Sequence, residues 1–217
     1  MFLQQQTTNV FATPVPWLLD ICIDCTCSIS DSDFKTMQQE IVNLLLNIHR
    51  RSQFLKGYPS DFVSITAFET PDKIFGPSQP IEIVKMDNPQ LLKGLCQWIN
   101  SLKNDGGPTA LYDAIVIGVK KLAQLDSKLP KQYLKVVLAV TDGMDNGSKT
   151  SCSSLPFPNS ANIHLAVIGV GSSGRSELSK LAQKATSTHS IHKFDELFNA
   201  ISISLANVIQ QTTTVLR

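Results

Sequence analysis

Five oxygen-bearing side chains stand where apolar runs break off: Asp24, Thr26 and Ser28 in one stretch, Thr109 in a second, and Asp142 in a third. Two are carboxylates, three are hydroxyls, and no histidine is among them. A set of hard oxygen donors suits a small hard cation such as Mg²⁺, held near-octahedrally at about 2.0–2.1 Å with several waters retained. Asp24, Thr26 and Ser28 alternate, so a chain leaving a strand can turn all three toward one spot. Neutral hydroxyls leave such an ion under-neutralised, and an open position then draws a carboxylate from a partner protein. Taken singly, each residue reads better as capping or turn chemistry than as a metal ligand.

For the five to meet, their segments must end at one edge of one sheet. Trp17–Ile23 is a short apolar run ending at Asp24, and it predicts a strand buried on both faces. Phe34, Met37, Ile41, Leu44, Leu45 and Ile48 recur at helical spacing to about Arg50, with Asp31, Ser32 or Asp33 as the expected cap. Phe62–Phe68 and Ile81–Lys85 both alternate. They are too close for a crossover helix, so they predict an antiparallel hairpin at a sheet edge. A helix is expected from about Pro89 to Leu102. The breakers Asn104–Pro108 follow, then a helix from about Thr109 to Leu125.

Val136–Thr141 reads as a second fully buried strand, ending at Asp142-Gly143, and Ile163–Gly169 as a third. Between them, Asn146–Ser160 reads as loop. A helix near Glu177–Lys184, a strand near Ser190–Lys193 and a helix near Glu196–Gln210 complete the chain. Strands and helices alternate, so the pattern predicts an open, mostly parallel α/β sheet with helices on both faces. Ligands of such sheets bind outside the carboxyl ends of the strands, where all five oxygens fall.

Composition sets the outer bounds. The chain has 217 residues, 42% hydrophobic and 17% charged, which excludes a solvent-swollen disordered chain. A chain this long buries roughly 70% of its unfolded surface. Nineteen basic against eighteen acidic residues give a net charge of +1, without the footprint of a nucleic-acid binder. The polar start Gln4–Thr8 lacks the pattern of a secretory signal, and no apolar run approaches the roughly 18 residues of a membrane span. With an odd count of five cysteines, a reducing cytoplasmic setting is the expectation.

Other motifs point elsewhere. Gly169-Val170-Gly171-Ser172-Ser173-Gly174 matches the dinucleotide fingerprint, with Asp195 about 20 residues on. Against a dinucleotide-dependent enzyme, apolar helical spacing begins only at Leu178, which leaves the third glycine outside a first helical turn. Little sheet can follow downstream either. Cys22, Cys25 and Cys27 suggest zinc, but Cys96 and Cys152 are distant and unpatterned. His49, His164, His189 and His192 have no metal spacing and supply no catalytic triad. Aspartyl phosphotransfer at Asp24 lacks a neighbouring acidic residue, since Thr26 holds that position.

Asp24-x-Thr26-x-Ser28, Thr109 after a Gly-Gly-Pro loop, and Thr141-Asp142-Gly143, in that order, resemble the von Willebrand factor A domain and its metal-ion-dependent adhesion site. Thr109–Ile115, Ala166–Gly171 and the Phe62–Phe68 strand extend the resemblance over about residues 14–212. It implies a Rossmann-like three-layer sandwich, with a mostly parallel sheet of about six strands and one antiparallel edge strand. The expected domain is 14–213, after a tail of 1–13. The resemblance further implies Mg²⁺ or Mn²⁺ held by Ser28, Thr26 and Thr109, directly or through water, with Asp24 and Asp142 in or just behind that shell. The expected partner is a protein presenting Asp or Glu, with no catalysis, no nucleic acid and no membrane insertion. Thr26 stands where Ser is usual and adds a stiff methyl. Cys27 stands where Gly is frequent. Asp145 and Asn146 read either as supports of the site or as turn residues. The alternatives are a nucleotide-dependent enzyme using Gly169–Gly174 and a scaffold that assembles without metal.

Overall fold

The computed structural model describes residues 10–55, 57–80, 82–129, 133–157 and 162–215, with side chains through 212. Among them, strands β1 (Trp17–Asp24), β2 (Phe62–Phe68), β3 (Ile74–Phe75), β4 (Ile83–Lys85), β5 (Leu134–Thr141), β6 (Ile163–Val170) and β7 (Ser187–Ile191) form one sheet. The helices are α1 (Asp31–Phe54), α2 (Pro89–Ser101), α3 (Leu111–Asp126), α4 (Gly171–Leu181) and α5 (Leu197–Val215). Strand order is β3-β2-β1-β5-β6-β7, and the five long strands run parallel.

Alternation along β1 sorts its side chains onto two faces. Leu19, Ile21 and Ile23 pack with Met37, Ile41 and Leu44 of α1, Leu95 of α2 and Ile201 of α5. Leu18 and Cys22 face Leu111 and Ile115 of α3 and Leu178 of α4. The result is a three-layer α/β sandwich. No helix among the described residues is long and apolar enough to cross a membrane.

The expected single edge strand is split. β3 pairs antiparallel with Ala67 and Phe68, and β4 with Phe62–Ser64. Between them lie Gly76, Pro77 and Pro80, and a proline has no N–H for a ladder. Ile81, expected in this strand, lies outside the described residues.

Several boundaries differ from expectation. The cap of α1 is Ser30, not Asp31, Ser32 or Asp33: its Oγ accepts the Asp33 N–H at 3.2 Å. Asp31 and Asp33 occupy the first turn instead, where their charge suits the helix dipole. α4 begins at Gly171, well before Glu177, because glycines and serines carry no apolar periodicity to reveal it. β7 spans Ser187–Ile191, not Ser190–Lys193, and Thr186 N–H already bonds Leu165 O at 2.8 Å. Residues 10–13, assigned to a tail by sequence, join the body: Val10 is buried and the Phe11 ring stacks on Phe198 at 6.0 Å. The rest of that tail, 1–9, lies outside the described residues.

The chain leaves β1 toward β2 on one side, then returns to place β5 on the other. Connections therefore diverge above the carboxyl ends of β1 and β5, the switch point at which open α/β sheets bind their ligands. Asp24 ends β1, and Asp142 directly follows β5.

Candidate metal centre

Beyond β1 the chain is pinned on both sides. Cys25 N–H bonds Phe68 O at 2.9 Å, Thr26 bridges to Gly106, and Cys27 N–H bonds Gly106 O at 3.3 Å. Thr26 therefore continues the line of β1, and the chain then turns at Cys27–Ser28, with the Ile29 N–H bonding Thr26 O at 3.4 Å, which brings Ser28 back beside Thr26. Asp24 is fully buried. Its Oδ1 accepts the Thr26 N–H at 3.0 Å and the Thr26 hydroxyl at 2.7 Å, and its Oδ2 accepts the Thr141 hydroxyl at 2.7 Å. Thr26 Oγ1 lies 2.8 Å from Ser28 Oγ, which lies 2.7 Å from Asp142 Oδ1.

Four of the five sequence-predicted residues therefore form a continuous chain of oxygens: Asp24, Thr26, Ser28, Asp142. The fifth, Thr109, borders it. A Cβ added to Gly143 would lie 3.3 Å from Thr109 Oγ1 and 4.0 Å from Ser28 Oγ. Glycine there lets the turn after Asp142 close over both hydroxyls without a side chain between them.

The chain is short of protons. Its three contacts need three, and the Thr26 and Ser28 hydroxyls supply two. A protonated carboxyl or a cation must provide the remaining positive charge. Burial pushes the Asp24 carboxyl up to about 6, against the hydrogen bonds from Thr141 and Thr26, and nearby Asp142 pushes the same way. Asp142 is also raised by burial. Among the described residues, no Lys, Arg or His forms an ion pair with either carboxylate.

The donor set fits a small divalent ion. An octahedral ion with ligands at about 2.0–2.1 Å has neighbouring oxygens about 2.9 Å apart. The spacings of 2.7–2.8 Å along the chain are close to that edge. Among the described residues, no group of three or more His, Cys, Asp or Glu could hold an ion. The carboxyl edge offers two carboxylates with hydroxyls instead.

Asn146 is more than a turn residue. Its Oδ1 accepts the Thr109 N–H at 2.7 Å, and its own N–H bonds Thr109 O at 3.2 Å. Asp145 Oδ1 accepts the Tyr112 N–H at 3.2 Å and so caps α3, whose N-cap Ala110 has no side-chain acceptor. In return, Asp113 accepts the N–H groups of Lys149 and Thr150. Loop 145–150 and the start of α3 are thus latched together, which fixes Thr109.

Sequence reasoning gave three residues no role here. Thr141 sits in line with Asp24 across the β1–β5 register, since Ile23 pairs with Val140. A polar residue closing the apolar run of β5 was its signal. Glu177 and Tyr112 brace the site from behind. Glu177 lies on the helix face of Gly174, Leu178 and Leu181, all buried, and a carboxylate on that stripe was the visible anomaly.

The competing motifs resolve as follows. Cys22 Sγ points to Asp20 and Ala114 on the α3 side, Cys25 packs in the core on the α1 side, and Cys27 is exposed. His164 bridges Thr186 and Thr212 at 3.3 Å each. One ground for setting aside the glycine fingerprint is overturned. Gly174 does lie in the first turn of α4, where a Cβ would meet Gly169 C and Thr141 O at 2.9 Å. The other ground stands, because β7 is the one strand that follows among the described residues.

The von Willebrand factor type A domain model matches residues 19–203, and the chain belongs to that family. No curated protein matches the sequence. Among solved structures, proximal thread matrix protein 1 from the mussel byssus, with a zinc-occupied MIDAS motif, is similar at a TM-score of 0.62 and 18% identity, over 91% of this chain and 47% of that one. A von Willebrand factor type A protein from Catenulispora acidiphila gives 0.66 and 17%, over 89% and 43%. The pilus adhesin SpaC from Lactobacillus rhamnosus GG, in its open conformation, gives 0.64 and 12%, over 91% and 30%. The chain spans less than half the length of each, and at these identities the likeness is one of fold.

Proposed function

We propose that this chain is a divalent-metal-dependent protein-binding module, with Mg²⁺ or Mn²⁺ held by Asp24, Thr26, Ser28, Thr109 and Asp142. The observation that carries this reading is the proton-deficient oxygen chain, closed at both ends by carboxylates with no basic partner among the described residues. Bound there, the ion supplies the missing positive charge and an electrophilic position for a ligand Asp or Glu. Asp24, fully buried, anchors the donor set, and the hydroxyls of Thr26 and Ser28 carry it on to Asp142. Ser28 is exposed and Asp142 half-buried, so a partner can reach this end of the chain. Asn146 and the latch on α3 hold Thr109 in place. The zinc at the MIDAS motif of the mussel protein and the adhesive role of the pilus protein support the same reading. Catalysis is not part of it. A reducing compartment is its assumed setting, in keeping with five free thiols.

The test is a thermal melt in EDTA, Mg²⁺ and Mn²⁺, with pull-downs under the same conditions. Divalent ions should raise the melting temperature of the wild-type chain and leave that of Asp24→Ala/Asp142→Ala unchanged. Partner capture should be lost in EDTA. Equal melting in all three buffers discards the metal reading and leaves a metal-independent scaffold. A rise on adding NAD or FAD favours the Gly169–Gly174 enzyme instead.

A further inference from the structure

We propose that Glu177 is a positioning residue for the metal centre: from α4 it sets the separation between the loops that carry Thr109 and Asp142. The proposal rests on the metal reading above. The Glu177 carboxylate is fully buried. One oxygen accepts the hydroxyl of Tyr112, in the first turn of α3 just past Thr109. The other accepts the backbone N–H of Asp145 at 3.1 Å, just past Asp142, and the Lys180 ammonium at 2.9 Å. Asp145 turns its own carboxylate onto the Tyr112 N–H, which closes a ring of three residues behind the site.

An apolar side chain would suit this stripe of α4 better on burial alone, since a desolvated carboxylate is costly without strong partners. The bonds it makes run to the two loops whose oxygens come from different parts of the chain. α4 is itself seated against the site's frame, because Gly174 lies hard against Thr141 O, and the hydroxyl of Thr141 bonds Asp24. Glu177 therefore transmits a fixed position from α4 to both loops. Such outer partners tune metal affinity through the ligands they hold.

Positioning makes a prediction that general stability does not. Mg²⁺ demands near-ideal octahedral geometry, whereas Ca²⁺ accepts irregular shells. Loosening the two loops should penalise Mg²⁺ and spare Ca²⁺. The experiment titrates Mn²⁺ by EPR, with Mg²⁺ and Ca²⁺ as competitors, on the full chain and on Glu177→Leu, Glu177→Gln, Tyr112→Phe and Asp142→Ala. Amide exchange of Asp145 is measured in EDTA alongside.

Glu177→Leu should weaken Mg²⁺ and Mn²⁺ about tenfold or more, change Ca²⁺ far less, and unprotect the Asp145 amide. Glu177→Gln should stay near wild type, since its carbonyl accepts from Asp145 and its amide donates to the Tyr112 oxygen. Unchanged Mg²⁺ affinity in Glu177→Leu, or equal losses for Mg²⁺ and Ca²⁺, overturns the proposal. If Glu177→Leu does not fold, Tyr112→Phe decides by the same criteria. A wild-type chain that binds no divalent ion overturns the metal reading and this proposal together. Binding lost in Asp142→Ala but intact in both Glu177→Leu and Tyr112→Phe overturns this proposal alone.

Discussion

Asp61 and Asp24 are both buried carboxylates, at opposite ends of the sheet, and they are satisfied in opposite ways. At the amino edge, Arg51 bonds both oxygens of Asp61, and Ser52 Oγ and Trp17 N–H add bonds of 2.9 and 2.8 Å. The same guanidinium bonds Thr13 O and Val15 O and lies 4.2 Å over the Trp17 ring. Asp20, midway along β1, has Lys121 at 3.8 Å besides Ser64 and Thr66. Asp24, at the carboxyl edge, meets hydroxyls, one amide and a second carboxylate. A fold that places a side-chain cation beside two buried aspartates and, among the described residues, none beside the third leaves room for a cation from solution.

The largest effect belongs to the self-contained end. Arg51→Ala strands a buried carboxylate and should cost about 3–5 kcal/mol in urea unfolding, with or without Mg²⁺. A cost under about 1 kcal/mol would mean that water reaches Asp61 and that the contrast between the two ends is false.

The other end should respond to the metal and not to the loss of a side chain's charge. Asp24→Asn removes a buried charge that has no basic partner among the described residues, so it should leave the EDTA-treated chain about as stable as wild type. It should also erase the Mg²⁺ increment, about 2.7 kcal/mol when Mg²⁺ exceeds its Kd a hundredfold. Denaturation of both proteins in EDTA and in Mg²⁺ measures this. Asp24→Asn that unfolds as readily as Arg51→Ala would show that Asp24 is a structural anchor like Asp61.

Much of this was legible in the sequence, for a definite reason. β1, β5 and β6 are apolar on both faces, so their ends are sharp, and the oxygens at those ends are easy to see. The family order of Asp24, Thr26, Ser28, Thr109 and Asp142 then placed them together. What stayed hidden depends on pairing across the chain. Nothing local in the sequence says that Arg51 and Asp61 bury each other. Glu177 was placed at the start of a helix whose first turn, made of glycines and serines, has no period to read. β3, two residues long, is set by its partner β2 and not by its own pattern.

Proton competition sharpens the contrast further. In the ion-free chain burial raises Asp24 from 3.8 to about 6, so its protonated form favours the fold. That contribution is present at acid pH and lost as pH rises through about 6. Asp142 and Asp145 are raised too and carry the same sign. On the proposed reading Mg²⁺ displaces this proton, so its affinity should be level above about pH 6 and fall about tenfold per pH unit below it. Melts with and without Mg²⁺ between about pH 5 and about pH 8 test this. A Mg²⁺ increment that persists unchanged at about pH 5 would place the ion away from Asp24.

The smallest effect separates a brace from a turn. Asn146→Ala removes the acceptor of the Thr109 N–H and should cost about 1 kcal/mol in EDTA. Ser30→Ala removes the cap of α1 at a similar cost, about 1 kcal/mol. The two variants should be alike in urea yet unlike in Mg²⁺. Thr109 loses its anchor in the first, so Mg²⁺ affinity should fall. The oxygen chain is untouched in the second, so Mg²⁺ affinity should hold. If both variants keep wild-type affinity, Thr109 is held by its backbone carbonyl bonds to Asn146 and Gly147 alone. The carboxyl edge would then be as self-sufficient as the clasp around Arg51.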